Sequence, residues 1–117
     1  MSTHPKTAAP KSPKPPASLG VHGRRLWRHV VSGWDLDGVE LEVLRQACAA
    51  LDRAEQARRV LDREGLTIAA GRGSIKTHPA AGVERDARIA FARLLREIGL
   101  THEEFPASAR RRTRKEG

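Results

Sequence analysis

Residues 76–100, KTHPAAGVERDARIAFARLLREIGL, specify a helix at both ends as well as along its length. Pro79 suits a first helical turn, where an N–H would have no intrahelical partner. Val83, Ala87, Ala90, Phe91, Leu94, Leu95 and Ile98 then recur at the steps of a single buried face. Gly99 suits the left-handed stop, and Leu100 is placed to fold back on Leu95. Glu84, Arg85, Arg88, Arg93, Arg96 and Glu97 are expected on the opposite, solvated face. Glu84, Asp86 and Glu97 offset its arginines, and Glu84 and Arg88 stand at pairing distance. This segment reads as a packing centre of the subunit.

A second helix is specified by WDLDGVELEVL. Asp37 and Glu40 have the spacing of a capping box, with Leu36 and Leu41 at the staple positions. The pattern runs to Glu64, a rod on the order of 40 Å at 1.5 Å per residue. Its apolar stripe is Leu44, Ala47, Cys48, Leu51, Ala54, Ala57 and Leu61, and its alanines allow another helix to approach closely. Glu55 can pair with Arg58 or Arg59 on an exposed face. Gly65 and Leu66 are expected to end this helix as Gly99 and Leu100 end the other.

Between the two lies LTIAAGRGSIKTH, which reads as a short β-hairpin, with Thr67, Ile68, Ile75 and Thr77 flanking a Gly71-Arg72-Gly73 turn. GRGS lacks the spacing of a phosphate-binding P-loop. Ahead of the long helices, Leu26, Trp27, Val30, Val31 and Trp34 form the stripe of a shorter helix over residues 20–33. Gly20 and Gly23 weaken its start, and Arg24, Arg25 and Arg28 point off the stripe. The amphipathic spacing accounts for both tryptophans as packing anchors; base stacking is the sharper alternative.

The ends differ from the body. Residues 1–18 hold five of the seven prolines and read as a disordered arm of polyproline II character. After Leu100, Thr101 and Glu104 offer a capping box that Pro106 curtails to about a turn. The expected class is mainly α: short N-terminal helix, long central helix, β-hairpin, second long helix, short C-terminal turn and disordered basic tails. The organisation is an arm over 1–18, a helical domain over 19–105 and a basic tail over 106–117.

The net charge of +8 is unevenly spread. The first 34 residues contain three Lys, three Arg and no acid, and residues 110–117 contain four Arg, one Lys and one Glu. The remainder is close to neutral. Basic arms around a neutral body suit a polyanionic partner such as DNA. The candidate phosphate contacts are Lys6, Lys11, Lys14, Arg24, Arg25, Arg28, Arg72, Arg110, Arg111, Arg112, Arg114 and Lys115. Candidates for packing, within or between subunits, are Trp27, Trp34, Leu44, Leu51, Leu61, Phe91, Leu94 and Leu95.

No catalytic constellation stands out. The five histidines lack metal-ligand spacing, Cys48 has no CxxC partner, and no cofactor motif occurs. The chain reads as a non-enzyme with no metal and no cofactor. It has no apolar run long enough to span a membrane and no secretory leader, and a lone cysteine suits a reducing cytoplasm.

The order of these parts resembles the small subunit of bacteriophage terminases. The resemblance is carried by Leu26-Trp27, Gly65-Leu66-Thr67, Lys76, His78-Pro79-Ala80, Glu84, Asp86-Ala87 and Leu94 to Leu100, and spans residues 19–105. It implies a ring-shaped homo-oligomer in the host bacterial cytoplasm that binds viral double-stranded DNA and recruits and regulates the large ATPase–nuclease subunit. It implies no catalytic residues. Many such subunits begin with a helix-turn-helix, which the Pro-rich arm here cannot form. The competing readings are a small helical DNA-binding regulator, monomeric or dimeric, and an interaction protein whose charged tails only solubilise it.

Overall fold

The computed structural model of the chain describes residues 4–5 and 12–100. In chain order they form β1 (His4–Pro5), α1 (Val21–Gly33), β2 (Trp34–Asp35), α2 (Gly38–Glu64), β3 (Thr67–Ala69), β4 (Ile75–Thr77) and α3 (Pro79–Glu97). The mainly α class, with a hairpin between the two long helices, is the one the sequence dictates. Residues 1–3 and 6–11, the Thr101–Phe105 turn and the basic tail lie outside the described residues.

The helix ends follow the local chemistry. At the start of α2, Glu40 N–H donates to Asp37 Oδ1 at 2.8 Å and Asp37 N–H donates to Glu40 Oε1 at 2.9 Å, a closed capping box. Leu36 and Leu41 pack beside it against the core. At the end of α3, Gly99 adopts a φ of 83°, Leu100 N–H donates to the Leu95 carbonyl and Gly99 N–H to that of Arg96. These are the paired bonds of a Schellman stop, and both Leu95 and Leu100 are buried.

The end of α2 corrects an expectation. Gly65 has a φ of 90° but a ψ of 164°, so the chain leaves extended instead of curling back. Leu66 is accordingly exposed and does not return to Leu61. A strand must begin at Thr67, and a Schellman turn would point the chain the wrong way. Antiparallel pairing of Thr67 with Thr77, Ile68 with Lys76 and Ala69 with Ile75 then reverses the chain. The His78 N–H to Leu66 carbonyl bond closes the hairpin's base.

The hairpin returns α3 antiparallel along α2. α1, which ends only a few residues before α2 begins, also runs antiparallel to it and covers only its first half, with the start of α1 beside Asp52. The molecule is therefore elongated, 63 × 26 × 23 Å. At one end three helices enclose Leu19, Leu26, Trp27, Val30, Val31, Leu44, Ala47, Cys48, Leu95, Ile98 and Leu100. At the other, α2 and α3 meet alone through Ala54, Ala57, Leu61 and Ala87.

This half-coverage explains where side chains depart from the amphipathic reading. Glu84, Arg88 and Glu55 do not lie on outer faces. Glu84 accepts from Arg58 at 3.2 Å and Arg88 at 2.9 Å, and Arg88 reaches Glu55 at 3.5 Å, so the four charges stitch α2 to α3. With no third helix here the seam lies near water, and long side chains can cross it while their stems cover alanines. For the same reason Val83 is 44% exposed, and Ala90, Phe91 and Leu94 are half-buried.

Two further differences lie near α1. Trp34 is not part of its helical stripe; it is extended, half-buried, and paired in β2 with Pro5. The expectation of a disordered arm up to residue 18 gives way over residues 12–18, which lie against α1 as described below. Among the described residues, no helix is long and apolar enough to cross a membrane.

Candidate nucleic-acid interface

The start of α1 is built from two glycines, residues that favour neither helix nor cap strongly. What fixes it comes from α2. Gly20 N–H donates to Asp52 Oδ2 at 2.7 Å and Gly23 N–H donates to Asp52 Oδ1 at 2.8 Å. One carboxylate thus satisfies the cap and third-residue donors of α1, where the helix dipole also favours an anion. Close approach requires glycine: a Cβ on Gly23 would meet Asp52 Oδ2 at 2.4 Å and the Cys48 carbonyl oxygen at 2.9 Å. The glycines that weaken this helix as a sequence are what allow it to dock.

The arm folds back along α1 from the same point. Leu19 N–H donates to the Pro16 carbonyl, and the Leu19 side chain is buried. Arg24 Nη2 donates to the Ala17 carbonyl at 3.0 Å, Trp27 Nε1 to the Pro13 carbonyl at 2.9 Å, and Ser12 Oγ to the Val31 carbonyl at 3.4 Å. Trp27 is therefore an anchor on two counts, its ring buried in the core and its N–H holding the arm. Lys14, next to Pro13, is brought to the flank of α1.

Arg24, Arg25 and Arg28 line a shallow surface depression with Val21. Arg25 and Arg28 are exposed and have no ion-pair partner among the described residues. The acids of α2 that touch the start of α1 are engaged, Asp52 with its backbone and Glu55 with Arg88 and, at 3.9 Å, His22. Arg25 and Arg28, about 4.5 Å apart along the axis, present forks suited to phosphate oxygens.

Other candidates fall elsewhere. Arg72 is exposed at the hairpin tip in a left-handed conformation, φ 63°. From Asp52 to Glu64 is about 18 Å of helix, and the hairpin lies beyond, so Arg72 does not join the α1 surface. Lys6, Lys11, Arg110, Arg111, Arg112, Arg114 and Lys115 lie outside the described residues. Of the packing candidates, Trp27, Leu44, Leu61 and Leu95 are buried within the chain. Trp34, Leu51, Phe91 and Leu94 are only partly covered.

The sequence reading missed Asp52. Its signal was an acid one helical turn after Cys48, on the edge of an apolar stripe, where a solvated charge has no reason to be. It also passed over Arg53, Arg59, Arg93 and Arg96, which are exposed and unpaired among the described residues. Each of these has an acid within one to four residues in the chain, so their faces are mixed. Arg25 and Arg28 have none that close.

Burial, aided by the Asp52 charge, pushes the Cys48 thiol up to about 12, which leaves it an inert core residue. Among the described residues no cluster of His, Cys, Asp or Glu could hold a metal. His78 is a cap: Nδ1 accepts from the Ala80 N–H at 3.0 Å, and Nε2–H faces Glu64 Oε1 at 2.8 Å.

The family model of the phage terminase small subunit matches residues 23–116, most of the chain, and the chain belongs to that family. No curated protein and no solved structure matches it.

Proposed function

We propose that this terminase small subunit binds viral double-stranded DNA through the basic side of α1 and the arm beside it. It recruits the large ATPase–nuclease subunit to that DNA in the host cytoplasm and performs no chemistry itself. The observation that carries the reading is the unneutralised surface of Arg25, Arg28 and Lys14, in a stretch of 34 residues without an acid. Phosphate contacts of this kind give affinity without base reading. The half-buried Leu51, Phe91 and Leu94 and the small core support assembly of several copies, for which we propose a ring.

The test is the affinity for duplex DNA as a function of salt. Each neutralised phosphate contributes about −0.9 to the slope of log affinity against log salt. Replacing both Arg25 and Arg28 by alanine should make the slope shallower by about two per subunit engaged. An unchanged slope would remove α1 from the interface and leave the terminal segments as the contacts. Light scattering on the same samples separates the alternatives: a many-subunit particle supports the packaging reading, whereas a monomer or dimer supports the small-regulator reading.

A further inference from the structure

We infer that Asp52 is a positioning residue for DNA binding: its carboxylate fixes the pivot from which both halves of the basic surface set out. The inference rests on the DNA-binding reading above.

Gly20 is the point at which the arm becomes α1. Residues 12–19 run back from it along the helix, held by the Arg24, Trp27 and Ser12 bonds to the arm and to Val31. α1 runs forward from it, carrying Arg25 and Arg28. Each Asp52 oxygen takes one N–H, from Gly20 and from Gly23, so the carboxylate sets the rotation of the helix as well as its height on α2. The absence of a side chain at Gly23 lets α1 sit against the Cys48 carbonyl. Lys14, Arg25 and Arg28 are thereby held in one frame by a residue that touches no DNA.

The same carboxylate closes a route. An open helix N-terminus is a ready phosphate site, but at α1 the two N–H groups are already taken. Phosphates are met by side chains along the helix, which makes their orientation matter.

Charge and geometry predict opposite results for Asp52. Removing an acid near a polyanion site strengthens binding on Coulomb grounds; removing the pivot weakens it. The experiment uses the full chain and Asp52→Ala, Asp52→Asn and Gly23→Ala, titrated against a mixed-sequence duplex at several salt concentrations. Far-ultraviolet circular dichroism sets a temperature at which each is folded. Asp52→Ala should bind about tenfold more weakly despite its added positive charge, with a slope shallower by about one to two. Gly23→Ala, which changes no charge, should act in the same direction by lifting α1. Asp52→Asn keeps one acceptor but turns an N–H₂ toward the other donor, and should fall between wild type and Asp52→Ala. It also carries the test if Asp52→Ala does not fold.

A purely structural role would lower the melting temperature but leave the slope of the folded protein unchanged. Folded Asp52 variants that bind as tightly as wild type, or more tightly, overturn the positioning role and leave the DNA-binding reading standing. A wild-type protein without salt-dependent DNA affinity overturns that reading instead.

Discussion

The two ends of this molecule are held together differently. Where α1 covers α2, Leu, Val and Trp side chains interlock, and Arg25 and Arg28 outside them have no ion-pair partner among the described residues. Where α2 and α3 meet alone, alanines bring the backbones close, and Arg58 and Arg88 are neutralised by Glu84 and Glu55 across the seam. The same residue type therefore does two jobs. At the two-helix end Arg58 and Arg88 are spent on the fold; Arg25 and Arg28 at the three-helix end are left to meet a partner. A count of basic residues cannot see this difference, because it depends on which acids the helix pairing brings within reach.

The largest test of the contrast is in the apolar contacts. Leu44 is fully buried among three helices, whereas Leu61 is covered by two. Truncating a buried leucine to alanine costs about 2–5 kcal/mol, depending on how far the site can collapse. Leu44→Ala should lie toward the upper end and Leu61→Ala toward the lower, measured by urea unfolding. Leu44→Ala should also speed alkylation of Cys48, which is buried and protonated up to about pH 12 in the intact core. Equal losses at the two sites would mean that the ends are not energetically distinct.

A smaller effect tests the charged seam. Glu84→Gln leaves Arg58 and Arg88 without their shared carboxylate. Both guanidiniums are about two-fifths exposed, 44% and 41%, so solvent screening keeps the loss small. We expect about 1 kcal/mol. The more telling readout is DNA affinity at low salt, which should rise slightly as one acid is removed at the far end, while Arg58 keeps Asp62 and Arg88 keeps Glu55. If it does not, the pairing at this seam is not what keeps these arginines from phosphate.

Much of this architecture was legible because its signals are local. Asp37 with Glu40, Pro79, and Gly99 with Leu100 each act within one helical turn, and each sits where its pattern put it. Gly65 misled because a Gly-Leu pair ends a helix in more than one way, and the chain's next direction selects which. Glu84 misled because periodicity tells how far a residue lies from the core stripe, not whether a third helix covers that flank. Asp52 was missed because its partners, Gly20 and Gly23, lie about thirty residues away in sequence. Pairing across such a distance is a property of the packed structure alone. Of the candidate interface, the acid-free stretch and the arginines of α1 were visible in the chain; the frame that orients them was not.

The smallest expected effect lies at the junction of the hairpin with the two-helix end. Glu64 is the last residue of α2, and the antiparallel return places it beside the N-terminus of α3, where an anion is favoured. The hydrogen bond from His78, and then that from Arg63, hold its carboxyl below the usual range. A depressed carboxyl contributes stability that is fully present above its ordinary value and is lost as pH falls through the folded one. Acidification below about pH 4.5 should therefore loosen the start of α3 before the three-helix end responds. The His78–Glu64 bond ties the last residue of α2 to the N-cap residue of α3, so protonating Glu64 removes the link between the two helix ends. Glu42, held at about 2 by hydrogen bonds from Arg45 and Gln46, supplies a control, since its pairing lies within one helix and caps nothing. Amide exchange at Ala80 and Ala81 should accelerate with falling pH in wild type, beyond the intrinsic rate. In Glu64→Gln that pH dependence should flatten, and in Glu42→Gln it should persist. If Glu64→Gln leaves it intact, the cap of α3 stands without Glu64 and the two-helix end is held by its apolar seam and the Glu84 and Glu55 pairs.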